Sequence, residues 1–241
     1  ESFGIQEEED KKDETNEVMA IDNYGISTAS VKNGLWIGDS RLVAMSQQKI
    51  VDSSIRVVAE GGKAATYFLN NYASKIESLK GGNFSHIAVL LGVNDPKTNI
   101  KATKNLLTKL RATFPKVPIY MMQPLPATSE FRYTGVYTVT GQSLLKDLME
   151  FRTEVGNHCA TVGDCHWRSA TTTTLVDSNG YLIPKYAIDG VHLTTEGYKI
   201  YYQNIVNILN GNSGDDSGGN NPGGGGSGTG NLNQGDSLGD S

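Results

Sequence analysis

Three features of this chain predict an α/β fold with a parallel sheet covered by helices on both faces. Strand-like and helix-like stretches alternate five times between about residues 35 and 209. Residues 86–91 (HIAVLL) are apolar on both faces, as a central parallel strand requires. The residues able to do chemistry fall on segments that follow strands, where such a sheet gathers its functional groups.

The elements read in order as follows. Residues 35–40 are an apolar strand ending abruptly in Gly38-Asp39-Ser40, and Arg41 to Met45 form the first turns of a helix. A β-branched run at 55–59 stops at Glu60-Gly61-Gly62. Residues 63–80 place Ala65, Phe68, Leu69, Tyr72, Ile76 and Leu79 at helical spacing, closed by Gly81-Gly82. The strand at 86–91 ends in Gly92-Val93-Asn94-Asp95-Pro96, before a helix near 99–113 with Leu106, Leu107 and Leu110 on one face. Residues 117–122 are the fourth strand, followed by a loop from Gln123 to Gly135 and beyond. Its Phe131, Arg132, Tyr133 and Tyr137 either line a substrate site or simply pack. A helix is expected over 142–157, then a fifth strand at 171–176 from the β-propensity of its four threonines, Leu175 and Val176. Asp189-Gly190-Val191-His192 precedes the last helix, near 194–209.

Composition divides the chain into three parts. Residues 1–18 hold eight acids against two lysines with little to bury, so that segment is expected to be disordered. Residues 211–241 contain twelve glycines and only two leucines, the composition of a flexible tail or linker to further modules. The middle, 19–210, is one domain. The net charge is −5, with −6 in the first segment and −4 in the tail, which leaves the middle at +5. Its lysines are scattered and form no basic stripe, so nucleic acid is not an expected partner. No apolar run has the length of a membrane span and no signal peptide is visible, although a chain beginning at Glu1 is compatible with a mature or trimmed form.

Cys159 and Cys165 flank Gly163-Asp164 and adjoin His158 and His166. Three arrangements fit that pattern: a small disulfide loop, two reduced thiols, or a metal site with the histidines. A disulfide with these flanks favours an exported protein, extracellular or on the cell surface, by a bacterial type of export.

Serine hydrolysis needs a nucleophile, an imidazole base, a group that orients the base, and donors for an oxyanion. Ser40, His192 and Asp189 fit the first three roles. The Ser40 N–H, the Gly62 N–H and the Asn94 side-chain amide fit the last. Ser40 at a strand-to-helix junction exposes its hydroxyl beside free N–H groups at the positive end of the helix. Each residue also has a plainer role: Ser40 as a helix cap, Gly61-Gly62 and Asn94-Asp95-Pro96 as turns, and His192 as a surface side chain. Four such blocks in order on suitable strand ends are a much less ordinary coincidence.

These blocks resemble those of the SGNH hydrolases, the GDSL esterase/lipase family, over about residues 33–209. Gly38-Asp39-Ser40 resembles the first block, Gly62 (with Gly61 the alternative) the second, Gly92-Val93-Asn94-Asp95 the third, and Asp189-Gly190-Val191-His192-Leu193 the last. Arg41 departs from the Leu often found after the serine. The resemblance implies a flavodoxin-like three-layer α/β/α sandwich on a five-stranded parallel sheet. It also implies a serine esterase that needs no metal or other cofactor. The tail's Gly235-Asp236-Ser237-Leu238 has no strand or helix around it and is treated as a decoy, and the Gly-x-Ser-x-Gly elbow of the α/β-hydrolases is absent. The expected substrate is a small-molecule or polysaccharide ester, in the first place a short acyl ester of carbohydrate. An O-acyltransferase with the same nucleophile and an inactive carbohydrate-binding domain are the rival readings.

Overall fold

The computed structural model describes residues 31–211. Residues 19–30 of the expected domain, the acidic segment 1–18 and the tail with its decoy motif lie outside the described residues. Strands β1 (Leu35–Gly38), β2 (Arg56–Ala59), β3 (Ile87–Leu90), β4 (Ile119–Met122) and β7 (Cys165–Arg168) form a parallel sheet in the order β2-β1-β3-β4-β7. This is the flavodoxin-like order, in which chain direction away from β1 reverses between β1 and β3.

Alternation along each strand sorts side chains into two apolar layers. Leu35, Ile37, Ile87, Val89, Ile119 and Met121 face one layer, which is covered by α2 (Ala65–Asn70), α3 (Tyr72–Lys75), α4 (Ile100–Thr113) and α5 (Gly141–Cys159). Trp36, Ala88, Leu90 and Met122 face the other, covered by α1 (Ser40–Gln47) and α6 (Thr195–Leu209). Every residue of β1 and β3 is buried, as strands enclosed on both faces must be. None of the described helices is long and apolar enough to cross a membrane.

The structure corrects three expectations. The fifth strand is Cys165–Arg168, not 171–176. Cys159, at the end of α5, is disulfide-bonded to Cys165, and Gly163 and Asp164 turn the chain with positive φ of 77° and 43°. The chain therefore re-enters the sheet at Cys165, in register with Ile119. Residues 171–176 instead form a turn, in which the Leu175 and Val176 N–H groups both donate to the Thr172 carbonyl, at 2.9 Å each. Strand propensity of a threonine run yields here to Cys165–Arg168, which takes the place beside β4 at the edge of the sheet. Among the alternatives for the cysteine pair, the disulfide is the one found, which removes the thiolates a metal site would need.

The helix expected over 63–80 breaks into α2, α3 and a 3-10 turn at Glu77–Leu79. Asn71 leaves helical geometry (φ −114°, ψ 21°), and its side-chain amide (2.9 Å) joins its backbone N–H (3.1 Å) on the Tyr67 carbonyl, closing the end of α2. The stretch after β4 is not all loop: β5 (Arg132–Thr134) and β6 (Thr138–Thr140) form an antiparallel hairpin leading directly into α5.

Candidate active site

The loops that leave β2, β1 and β3 start at one level, because Gly38 is paired with Ala59 on one side and Leu90 on the other. Ser40 lies two residues beyond that level, Gly62 three beyond Ala59, and Asn94 four beyond Leu90. The sequence leaves open whether Ser40 serves as the helix cap. The cap is Asp39, whose Oδ1 accepts the Arg41 N–H at 3.1 Å. Ser40 is thus the first residue of α1, with its hydroxyl released from capping. Asp39 is 3 % exposed, and burial pushes its carboxyl upward against the pull of the Arg41 charge.

The Ser40 Oγ lies 3.0 Å from His192 Nε2, and His192 Nδ1 lies 2.6 Å from Asp189 Oδ2. An ionised carboxylate only accepts, so Nδ1 carries the imidazole proton and Nε2 faces the serine hydroxyl as an acceptor. Asp189 reaches its near neighbour because the turn folds back: Oδ1 accepts the N–H groups of Val191 (3.0 Å) and His192 (2.8 Å). Gly190 makes this turn with φ of +89°, and a side chain there would meet Thr128 and Phe131 at about 3 Å. Partial burial works to raise the Asp189 carboxyl, but the hydrogen bonds from the His192 ring and from the His192 and Val191 backbone outweigh it. The result is a carboxyl held down at about 2.

Asn94 is half-buried, and its side-chain amide donates to the Lys63 carbonyl at 3.1 Å, tying the loop after β3 to the loop after β2. Gly62 is exposed with φ of +67°, and a Cβ on Gly62 or Gly61 would touch nothing within 4 Å. The structure therefore brings Ser40, His192 and Asp189 into one hydrogen-bonded line and places Asn94 and the glycine pair on the two flanking loops. Such a line can move a proton from a serine hydroxyl to an imidazole held by a carboxylate.

No family model matches the sequence, and no curated protein matches it. Solved structures do share its shape. A GDSL-like lipase from Bacteroides thetaiotaomicron superposes with a TM-score of 0.59 at 16% identity, over 75% of this chain and 88% of that one. A lipase/acylhydrolase from Enterococcus faecalis gives 0.50 at 16%, over 74% and 96%. A protein from Slackia heliotrinireducens assigned to the SGNH hydrolases gives 0.53 at 15%, over 74% and 98%. The chain has the SGNH-hydrolase fold.

Within this SGNH fold two features escape the sequence reading. One is Arg41, a charged side chain only 4 % exposed, whose guanidinium donates to the carbonyls of Leu125, Pro126 and Val191. The only sequence signal for it was a charge at a position expected to be apolar. The other is the β5–β6 hairpin. Gly141 N–H donates to the Phe131 carbonyl at its base, and the Tyr137 hydroxyl donates to Asp95 Oδ1 at 2.5 Å. The hairpin is thereby tied to the loop carrying Asn94, and it leaves Tyr133, Val136 and Tyr137 exposed.

Proposed function

We propose that this protein is a serine esterase of the SGNH family that removes short acyl groups, such as acetate, from carbohydrate. The observation that carries the reading is the line from Ser40 through His192 to Asp189, at 3.0 and 2.6 Å. His192 Nε2 takes the hydroxyl proton as Ser40 Oγ attacks the ester carbonyl. Asp189, ionised throughout the neutral range, stabilises the imidazolium that forms. The Ser40 and Gly62 N–H groups and the Asn94 amide receive the negative oxygen. The imidazolium returns its proton to the departing alcohol, leaving an acyl group on Ser40. Water, deprotonated by His192, then releases the acid and restores the serine.

Carbohydrate is favoured by the exposed rings of Tyr133 and Tyr137 on the hairpin tied to the loop that carries Asn94. Aromatic faces with a polar tip suit a ligand that is apolar on one side and hydroxylated on the other. Action outside the reducing cytosol is favoured by the Cys159–Cys165 disulfide.

The test is release of acetate from acetylated polysaccharide and from 4-nitrophenyl acetate, with Ser40→Ala beside the wild type. Hydrolysis and single labelling by a serine-directed phosphonate are expected for the wild type, and neither for Ser40→Ala. Its stability should stay within about 1 kcal/mol, because a small half-exposed residue is replaced. Labelling that persists in Ser40→Ala would place the nucleophile elsewhere. New sugar ester in place of free acid would make the protein a transferase.

A further inference from the structure

We propose that Arg41 is a positioning residue that sets the aim of His192 at Ser40. The inference rests on the esterase reading for its consequence in catalysis, and on the hydrogen bonds of Arg41 and Asp189 for its structural content.

The peptide joining Val191 to His192 is held at both ends. Its carbonyl oxygen accepts from Arg41 Nε at 3.1 Å and Nη2 at 2.9 Å, and its N–H donates to Asp189 Oδ1 at 2.8 Å. A peptide unit is planar, so fixing both polar groups fixes the orientation from which the His192 side chain departs. Without the guanidinium, one side of that plane is free to tilt. Arg41 follows Ser40 directly on the first turn of α1, so one residue couples the nucleophile's helix to the base's turn across a separation of 150 residues.

The same guanidinium donates from Nη1 to Leu125 O at 2.5 Å and from Nη2 to Pro126 O at 2.8 Å, in the loop after β4. Thr128, further along this loop, donates its N–H to the Gly190 carbonyl at 2.8 Å. The Asp189–His192 turn is thus bonded directly, at Gly190, to a loop that Arg41 also holds. A planar fork with five donors suits this task, whereas a lysine ammonium offers three donors from one point and cannot span carbonyls on two loops. Burying the charge is costly and Asp39 offsets part of that cost, so an apolar residue would serve packing better if packing were the whole role.

The experiment compares Arg41→Met and Arg41→Lys with a structural control, Arg111→Met. Arg111 donates to the carbonyls of Phe114, Pro115, Val117 and Asp164 at the opposite end of the sheet. The measurements are kcat and KM for 4-nitrophenyl acetate well below each melting temperature, and the far-downfield NMR signal of the proton between His192 Nδ1 and Asp189, identified by its absence in His192→Gln. In Arg41→Met, kcat should fall about 10²-fold with KM within about two-fold, and the downfield signal should broaden or vanish. Arg41→Lys, which keeps the charge beside Asp39 and so guards against loss of folding, should show the same two changes in smaller measure. Arg111→Met should melt earlier with both readouts unmoved. A folded Arg41→Met or Arg41→Lys with wild-type kcat and an intact downfield signal overturns the proposal. If the wild type itself proves inert towards esters and phosphonates, the esterase reading fails, yet the downfield signal still reports whether Arg41 holds the imidazole.

Discussion

Asn94 shows how the role of a single residue is decided by which of its bonds change during a reaction. One amide hydrogen is engaged by the Lys63 carbonyl, and the second is the one proposed to meet the oxyanion. Asn94→Ala should lower kcat by about 10²–10³-fold with little change in KM, because the amide binds the charged oxygen of the transition state far more strongly than a neutral carbonyl. Asn94→Asp should be at least as damaging, since it places negative charge where negative charge develops. Steady-state kinetics on 4-nitrophenyl acetate check both. Near-normal kcat with earlier unfolding would leave Asn94 as a turn residue.

At the scale of elements, the chain separates chemistry from closure. The residues proposed for catalysis lie beyond the carboxyl ends of the strands, whereas the disulfide ties the end of α5 to Cys165, which pairs with the first residue of β4 at the other end. Replacing both cysteines by serine should therefore cost stability but not activity. Chain entropy for so short a loop gives about 2 kcal/mol. Urea unfolding should show a lower midpoint, and kcat at a temperature where the variant is folded should match the wild type. A large loss of kcat in the folded variant would mean that β7 transmits strain to the site. The hairpin sits at the opposite end from the disulfide, and its Tyr137–Asp95 bond holds it to the loop carrying Asn94.

For the whole molecule, acid sensitivity should be set by a residue far from the chemistry. His86 begins the segment leading into β3 and is 3 % exposed; its Nε2 accepts the Trp36 indole N–H at 2.8 Å, so the ring is neutral. Burial lowers its pKa from 6.5 to about 4. The unfolded chain then binds a proton near pH 6.5 that the folded chain refuses until about pH 4, so stability is full above 6.5 and falls as pH drops through that window. The loss by pH 4 amounts to about 3 kcal/mol. Denaturant unfolding from pH 7.5 to 4 should show this slope in the wild type and lack it in His86→Gln. An unchanged slope in the variant would move the effect to other groups. Asp189 contributes below this window, because its depressed carboxyl supports folding until pH falls from 3.8 towards about 2.

The amino-acid sequence alone determined the alternation that makes a parallel sheet, the two-sided burial of 86–91, and the order of the Gly38-Asp39-Ser40, Asn94 and Asp189-to-His192 blocks. These are short-range patterns, written in the spacing of neighbours, and local sterics and burial enforce them wherever the chain folds. Only the tertiary structure decided that Asp39 rather than Ser40 caps α1, that the strand after α5 is Cys165–Arg168 rather than the threonine run, and that Asn71 breaks a helix whose apolar spacing continues. It alone decided that Arg41 reaches Val191, and that the stretch carrying Tyr133 and Tyr137 folds as a hairpin. The reach of Arg41 and the choice of edge strand depend on partners distant in sequence, of which local pattern carries no record. The cap, the break and the hairpin are made by near neighbours, through polar bonds that apolar spacing does not encode. The Asp189 turn lies between the two cases: its residues and spacing were legible, but the folding back that joins carboxylate to imidazole required Gly190 at positive φ and two backbone hydrogen bonds.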